Sequence, residues 1–299
     1  MNSKTASAPE ALVETHIIGT KTREWIIREN ECPGLAIHQI THVGVAYASV
    51  PYQMVRTKLS GTYMLAAFEG QGKILLDGRW QICKAGSACL APPHVLHAFH
   101  AMKGSAWGFC WVRYNQPPEQ KPLISSSSPV LARFHAEPLK HAILGLYAEV
   151  HGNCVPAVIQ QWVEIIQGYV DNFAQPWHVD NRLSKLWDDV AENPGRPWDL
   201  GTLAKNCHCS GEHLRRMCRS QLGRSPVQHV IFLRMRRAAS LLAKTEEKIE
   251  TIAREVGYEN PFVFSNTFKK WIGWRPSEYR HQHINRYESV TSSESRMSA

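Results

Sequence analysis

Between Leu203 and Tyr279 apolar residues recur three and four positions apart, in blocks closed by turn signals. Leu203-Ala204 closes one amphipathic helix, a turn is expected over Lys205 to Cys209, and Ser210 stands where the following helix needs an N-cap. Leu214, Met217, Cys218 and Leu222 form the apolar stripe of that helix, which leaves Glu212, Arg215, Arg216 and Arg219 on its opposite face. Gly223 ends it, and Ser225-Pro226 opens a long connecting helix to about Lys244, with Val227, Ile231, Met235, Ala238 and Leu242 expected inside. The same grammar then repeats: Ile249, Ile252, Ala253 and Val256 make an apolar face, Gly257 permits a turn, and Asn260-Pro261 starts a helix. Its inner residues are Phe264, Phe268 and Ile272, and Gly273 stops it. The pattern predicts two helix-turn-helix units in series.

The first third of the chain is patterned differently. After a polar arm, residues 30 to 115 show short strand-like runs separated by Gly and Pro. In "KILLDGRWQIC" two strands meet at Asp77-Gly78, a pair suited to the positive φ angles of a tight hairpin. "GTYMLAAFEGQG", "AGSACLAPPHVLHAF" and "AWGFCWVRY" supply further strands, and the spacing suggests a small barrel or sandwich. "NQPPEQKPLISSSSP" reads as a connector. Helical periodicity returns around Leu139 to Val150, Val155 to Phe173 and Arg182 to Val190, the second with a stripe of Val158, Trp162, Ile165, Ile166 and Tyr169. That stripe could pack on its own barrel or form a dimer interface.

"LAKNCHCSGEHLRRMCRSQLGRSPVQHVIFLRMRRAASLLA" followed by "IETIAREVGYENPFVFSNTFKKWIGWRPSEYR" resembles the DNA-binding domain of the AraC/XylS family, without a gap from Leu203 to Arg280. Two positions depart from the family pattern: Cys218 stands where phenylalanine is usual, and Pro261-Phe262 replace a common polar pair. The strands before it resemble, more weakly, the cupin-like effector domain of such regulators. The resemblance implies an α+β multidomain chain, with an N-terminal cupin-like β-barrel plus helices and a C-terminal all-α domain carrying two helix-turn-helix motifs. The expected divisions are an arm (1–28), an effector-binding domain (29–115), a connector and helical, dimerising region (116–191), a DNA-binding domain (196–281) and a disordered tail (282–299).

Charge agrees with this independently. Residues 196–281 hold 16 of the 34 basic and 8 of the 26 acidic residues, leaving 18 of each elsewhere, so the whole net charge of +8 lies on the C-terminal segment. Clustered Lys and Arg are what phosphate neutralisation needs. A solvated basic surface is the bland alternative, which the duplicated helix-turn-helix weighs against. By position on the recognition helices, Glu212, Arg215 and Arg216 are expected at base edges in the first unit, and Phe262, Ser265 and Asn266 in the second. Arg219, Lys269 and Lys270 are expected on phosphates. With a rigid linker the two helices would enter successive major grooves about 34 Å apart.

A cupin metal site draws clustered His and carboxylate ligands from two motifs. Here His97 fits the second motif, but "RTKLSGTYMLAAFEG" offers no histidine pair for the first, so no metal and no cofactor is expected. Cys207, Cys209, His213 and Cys218 are also set aside as a zinc site, because Cys209 and Cys218 fall where a helix-turn-helix is buried. His94 and His100 are expected at the surface. A metal-free barrel still offers a sensor cavity, for which Tyr63, Arg79, His97 and Trp111 are candidates, each competing with ordinary packing. The family implies a small metabolite, with a carbohydrate the commonest class.

The expected function is therefore a ligand-responsive, non-enzymatic transcription regulator. Its partners would be double-stranded DNA, an effector, a second copy of itself and, for an activator, RNA polymerase. Two alternatives remain open at this stage: a catalytic metal-dependent cupin tethered to DNA, and a regulator controlled by a protein partner. No apolar run resembles a signal peptide or a membrane span, and eight irregularly spaced cysteines suit a reducing, cytoplasmic setting.

Overall fold

The computed structural model describes residues 13–57, 61–104, 106–115, 123–175 and 181–282. The segment 1–12, the Pro-rich part of the connector (116–122) and the expected tail beyond residue 282 lie outside the described residues.

Ten antiparallel strands are described: β1 (Thr15–Ile18), β2 (Arg23–Arg28), β3 (Ile40–Ala48), β4 (Tyr52–Arg56), β5 (Tyr63–Leu76), β6 (Arg79–Lys84), β7 (Ser87–Ala91), β8 (His97–Ala101), β9 (Trp107–Tyr114) and β10 (Leu131–Arg133). Their order along the curled sheet is β1-β4-β8-β5-β9-β3-β2, with β6, β7 and β10 branching from it. Two runs expected to be separate, "GTYMLAAFEG" and "KILLDG", are one continuous strand, β5. Its first half pairs with β7 and β9, and its second half with β6 and β8, so one strand belongs to both walls. The register shifts between Ala67 and Glu69, which lets the strand change partners without ending. The arm also differs from expectation. Residues 15–18 and 23–28 are paired strands, because they cover the open edges of β4 and β3.

Period-two alternation sorts the strand residues into two cores. One face of β3, β5 and β9, with Val43, Val45, Met64, Ala66, Cys110 and Val112, packs on α1 (Ala136–Val150) and α2 (Pro156–Ala174). The other face lines the barrel interior with Tyr52, Met54, Leu65, Phe99, Trp107, Phe109 and Trp111. The indole of Trp111 lies over Gly44 on the neighbouring strand, where a Cβ would displace it. The buried stripe of α2 is rotated from the one expected: Val163, Ile166, Val170 and Phe173 are inside, while Ile165 is 43% exposed. The helix packs on both α1 and the barrel, and that sets which stripe is buried.

α3 (Asn181–Glu192) leads into α4 (Leu200–Asn206), α5 (Gly211–Gln221), α6 (Pro226–Lys244), α7 (Ile249–Glu255) and α8 (Pro261–Ile272). α4 runs two residues past its expected end, and His208 takes the left-handed turn conformation. α6 is buried around most of its girth, by His229, Val230, Phe232, Leu233, Met235, Ala238, Leu241 and Leu242, because its first half packs with the α4–α5 unit and its second with α7–α8. Val227, expected inside, is half exposed. The Arg234 guanidinium donates to the carbonyls of Pro194, Arg196 and Gly257, tying the entry of the domain to the second unit's turn.

The helical domain is docked on the barrel. Asp77 and Gly78 both take positive φ in the β5–β6 turn, as a tight hairpin requires. The Asp77 carboxylate accepts two hydrogen bonds from Arg224, at 2.7 and 2.8 Å, between α5 and α6. Arg224 is 3% exposed and lies 3.8 Å over the Phe232 ring. Backbone bonds join Val130 N–H to the Leu222 carbonyl and Leu96 N–H to the Ile272 carbonyl. His229 Nε2 donates to the Ser126 carbonyl at 2.6 Å, and Arg236 donates to those of Ser125 and Ile124.

Removing one partner of a buried ion pair strands the other charge away from water. Asp77→Ala is therefore expected to lower unfolding free energy by about 3 kcal/mol. Asp77→Ala combined with Arg224→Leu should recover most of that loss. Urea unfolding of the two variants checks this, and equal destabilisation by both would show that the pair is not what matters at this contact.

Candidate nucleic-acid interface and barrel mouth

The two helices expected to read DNA are α5 and α8. The side-chain oxygen of Ser210 accepts from His213 N–H to cap α5, and Asn260 Oδ1 accepts from Phe262 and Val263 N–H to cap α8. Leu214 and Cys218 anchor α5 inward, as Phe264, Phe268 and Ile272 anchor α8. Glu212, Arg215, Arg216 and Arg219 all lie exposed on the outer face of α5. Arg215 reaches Glu212 at 3.4 Å and Arg216 reaches His213 Nδ1 at 3.0 Å, surface contacts that DNA could replace at little cost. On α8, Phe262 is 81% exposed and Val263 52%, with Asn266 exposed and Ser265 half-buried beside them. Lys269 and Lys270 are exposed at the far end, where the Lys270 backbone lies against the β5–β6 turn at Gly78.

Of the four cysteine and histidine candidates near α5, Cys207 and Cys218 are fully buried, Cys209 is partly buried, and no metal-holding group of side chains occurs among the described residues. Burial pushes the Cys218 thiol up to about 12.

In the barrel, Tyr63, His97 and Trp111 all project into the interior toward one end. Arg79 does not join them: it pairs with Leu76 at the first position of β6, directly after the β5–β6 turn, and is exposed there. His94 and His100 are half-buried. His97 is 4% exposed, and its Nε2 donates to the Pro92 carbonyl at 3.1 Å.

Three interior residues escaped the sequence reading: His42, Arg56 and Arg113. Arg56 continues the inward series Tyr52-Met54, and Arg113 continues Trp107-Phe109-Trp111, so strand parity could have found both. In register, Arg56 is opposite His97, and Arg113 is opposite both Tyr63 and His42. Trp111 Nε1 donates to His42 Nδ1 at 2.9 Å, which places the imidazole proton on Nε2. His42 and His97 are both pushed down to about 3, first by burial and then, in each, by the neighbouring Arg56 and Arg113 charges. From the strand edge, the Glu14 carboxylate accepts from the Thr57 backbone N–H and hydroxyl.

Two family models cover most of the described chain: residues 61–202 match an AraC-like ligand binding domain, and residues 203–282 match a helix-turn-helix domain. This chain belongs to the AraC family of transcription regulators. The arabinose operon regulatory protein of Escherichia coli K12 is 25% identical over 242 residues, 74% of this chain and 81% of that protein. The lactose operon transcription activator of Staphylococcus xylosus is 38% identical over 103 residues, 34% of this chain and 37% of that protein, so this match spans well under half of the relative's length. Among solved structures, ToxT from Vibrio cholerae O395 aligns over 88% of this AraC-family chain and 97% of its own, with 14% identity and a TM-score of 0.40.

His229, wholly buried between Trp187 and Phe232 at the domain contact, is also held down to about 3, by burial and then by the Arg224 charge. A histidine whose folded value lies below its free value of about 6.5 binds its proton only on unfolding. Its contribution is complete above about pH 6.5 and is lost as pH falls toward 3. His42, His97 and His229 together should steepen the loss of stability to about 4 kcal/mol per pH unit across that window. His229→Gln should remove about a third of that slope, whatever its effect at pH 7, in urea titrations at pH 7, 6 and 5.

Proposed function

We propose that this AraC-family chain is a sequence-specific DNA-binding transcription regulator whose hold on DNA responds to a small molecule in the barrel. The observation that carries the reading is the pair of capped helices α5 and α8, each anchored by a buried stripe and each presenting an outer face with no packing partner among the described residues. Phe262 and Val263 stand side by side and open at the start of α8, apolar surface that a partner could cover. Thymine methyl groups in the major groove are that kind of partner.

In this reading Glu212, Arg215, Arg216, Phe262, Ser265 and Asn266 face base edges, while Arg219, Lys269 and Lys270 position the helices on phosphates. Each chain would occupy one half-site, and a homodimer two. For an activator, RNA polymerase would be a further partner. The related proteins named for lactose and arabinose operons support control by a small metabolite. The absence of any disulfide among the cysteines suits a cytoplasmic regulator, and no helix among the described residues is long and apolar enough to cross a membrane.

Fluorescence anisotropy on labelled upstream DNA, with random DNA as control and across a salt series, tests the reading. One fragment should bind far more tightly than random sequence, with affinity falling as salt rises. Arg216→Ala should weaken specific binding by about 1–3 kcal/mol and spare random DNA; an equal loss on both would make Arg216 a phosphate contact. Phe262→Ala should leave unfolding free energy within about 0.5 kcal/mol of the parent, being a surface change, yet reduce specific affinity. Unchanged specific affinity would remove Phe262 from the interface.

A further inference from the structure

At one end of the barrel the apolar interior gives way to a polar layer. Below it the rings are packed: Tyr63 stacks on Phe99 at 5.7 Å and 14°, and Trp107 and Phe109 lie 4.4 Å apart. Above them stand Arg56, Arg113, His42, His97 and the Tyr63 hydroxyl, drawn together by the cross-strand register. Arg56 lies 6.0 Å over the Tyr63 ring.

The layer is incomplete as hydrogen-bonding chemistry. Arg56 Nη1, Arg113 Nε and His97 Nδ1 are each shielded from solvent, with no hydrogen-bond partner among the described residues. A shielded guanidinium N–H without an acceptor is costly, and two such groups sharing one pocket add repulsion. The nearby histidines cannot neutralise the arginines: His42, its Nδ1 taken by Trp111, presents a donor at Nε2. Two carboxylates act on the layer from its edge: Glu14, whose charge is felt by Arg113 while it accepts from Thr57, and Glu24, which accepts from the Tyr52 hydroxyl. Neither hydrogen-bonds Arg56 Nη1 or Arg113 Nε. What remains is a set of unpaired polar atoms, two of them guanidinium donors, at the mouth of an aromatic-floored barrel.

We infer that the barrel mouth binds the anionic group of its effector, a carboxylate or a phosphate, between Arg56 and Arg113, and that the effector is an organic acid or a phosphate ester and not an uncharged sugar. Guanidinium forks match both anions. The anion supplies acceptors to Arg56 Nη1 and Arg113 Nε, His42 Nε2–H adds a further donor, and the organic body lies on the Tyr63 and Trp111 rings. A hydroxyl on that body would satisfy His97 Nδ1, which, with Nε2 donating to Pro92, can only accept. The inference rests on the reading of the barrel as the effector domain, and it replaces the carbohydrate expected from the family by a charged class.

The test uses the full chain and simple probes. Sodium propionate, sodium phosphate and D-glucose are titrated to 50 mM against sodium chloride of matched ionic strength, and melting temperature and tryptophan fluorescence are followed. Propionate, phosphate or both should raise the melting temperature by roughly 3–6 °C once present at ten times the dissociation constant. Glucose should not. Whichever anion binds identifies the carboxylate or the phosphate class. Arg56→Gln and Arg113→Gln should each weaken that binding at least tenfold. Both variants should fold, since each removes one of two mutually repelling guanidinium charges, and a circular dichroism melt verifies this. No shift with either anion, a shift with glucose alone, or an anion shift that persists in both variants overturns the inference. DNA binding by the unaltered chain without probes is measured alongside. Its absence would tell against the regulator reading, whereas loss of the anion response alone tells only against this site.

Discussion

A buried ion pair on a two-residue turn fixes how the two halves of this regulator meet. Asp77 has its carboxylate aimed by a hairpin whose backbone tolerates few residues, and Arg224 is pinned between that carboxylate and the Phe232 ring. Around them, the bonds from Val130 to Leu222, Leu96 to Ile272 and His229 to Ser126 all depend on the same docked arrangement. A pair of this kind adds little net stability against an apolar replacement, but it penalises every misaligned arrangement heavily, because only one orientation satisfies both charges.

The docking leaves the outer faces of α5 and α8 open while holding the base of α8 against the barrel. The Leu96 N–H bond to Ile272 and the packing of the β5–β6 turn on Lys270 both fall at the C-terminal end of α8, away from Phe262 and Asn266. The helix is thus held at one end and free at the other. A ligand that favoured one docked arrangement over another would change DNA affinity by that difference and no more.

The C-terminal half was legible because its elements are local. Caps at Ser210, Ser225 and Asn260, stops at Gly223 and Gly273, and three-four spacing each act within one helix, and the helices follow them. Tertiary contacts decided what sequence could not. Val227 is outside and His229 inside because α6 serves two cores, and the rotated stripe of α2 follows from its double packing. The barrel strands were legible as strands but not as partners, so β5 was broken in two and the arm strands were missed. Tyr63, His97 and Trp111 could be singled out as unusual residues, whereas Arg56 and Arg113 were hidden by looking like ordinary surface arginines. Their inward direction depends on counting alternate residues along known strands. The charge count carries a related lesson: Arg224, Arg234 and Arg236 belong to the basic segment, yet they are turned inward onto Asp77 and backbone carbonyls.

β5 is a single strand that begins at the polar mouth with Tyr63 and ends one residue before Asp77. Fully extended, fourteen residues reach at most roughly 46 Å, a length that the register shift between Ala67 and Glu69 shortens. A strand paired along both edges cannot slip by one position without turning every side chain to the wrong face. The register shift between Ala67 and Glu69 and the positive φ of Gly70 bend the strand where it changes partners. The mouth at Tyr63 and the turn at Asp77 are thus the far ends of two arms of one bent strand, and any movement passed from one to the other has to pass through that bend.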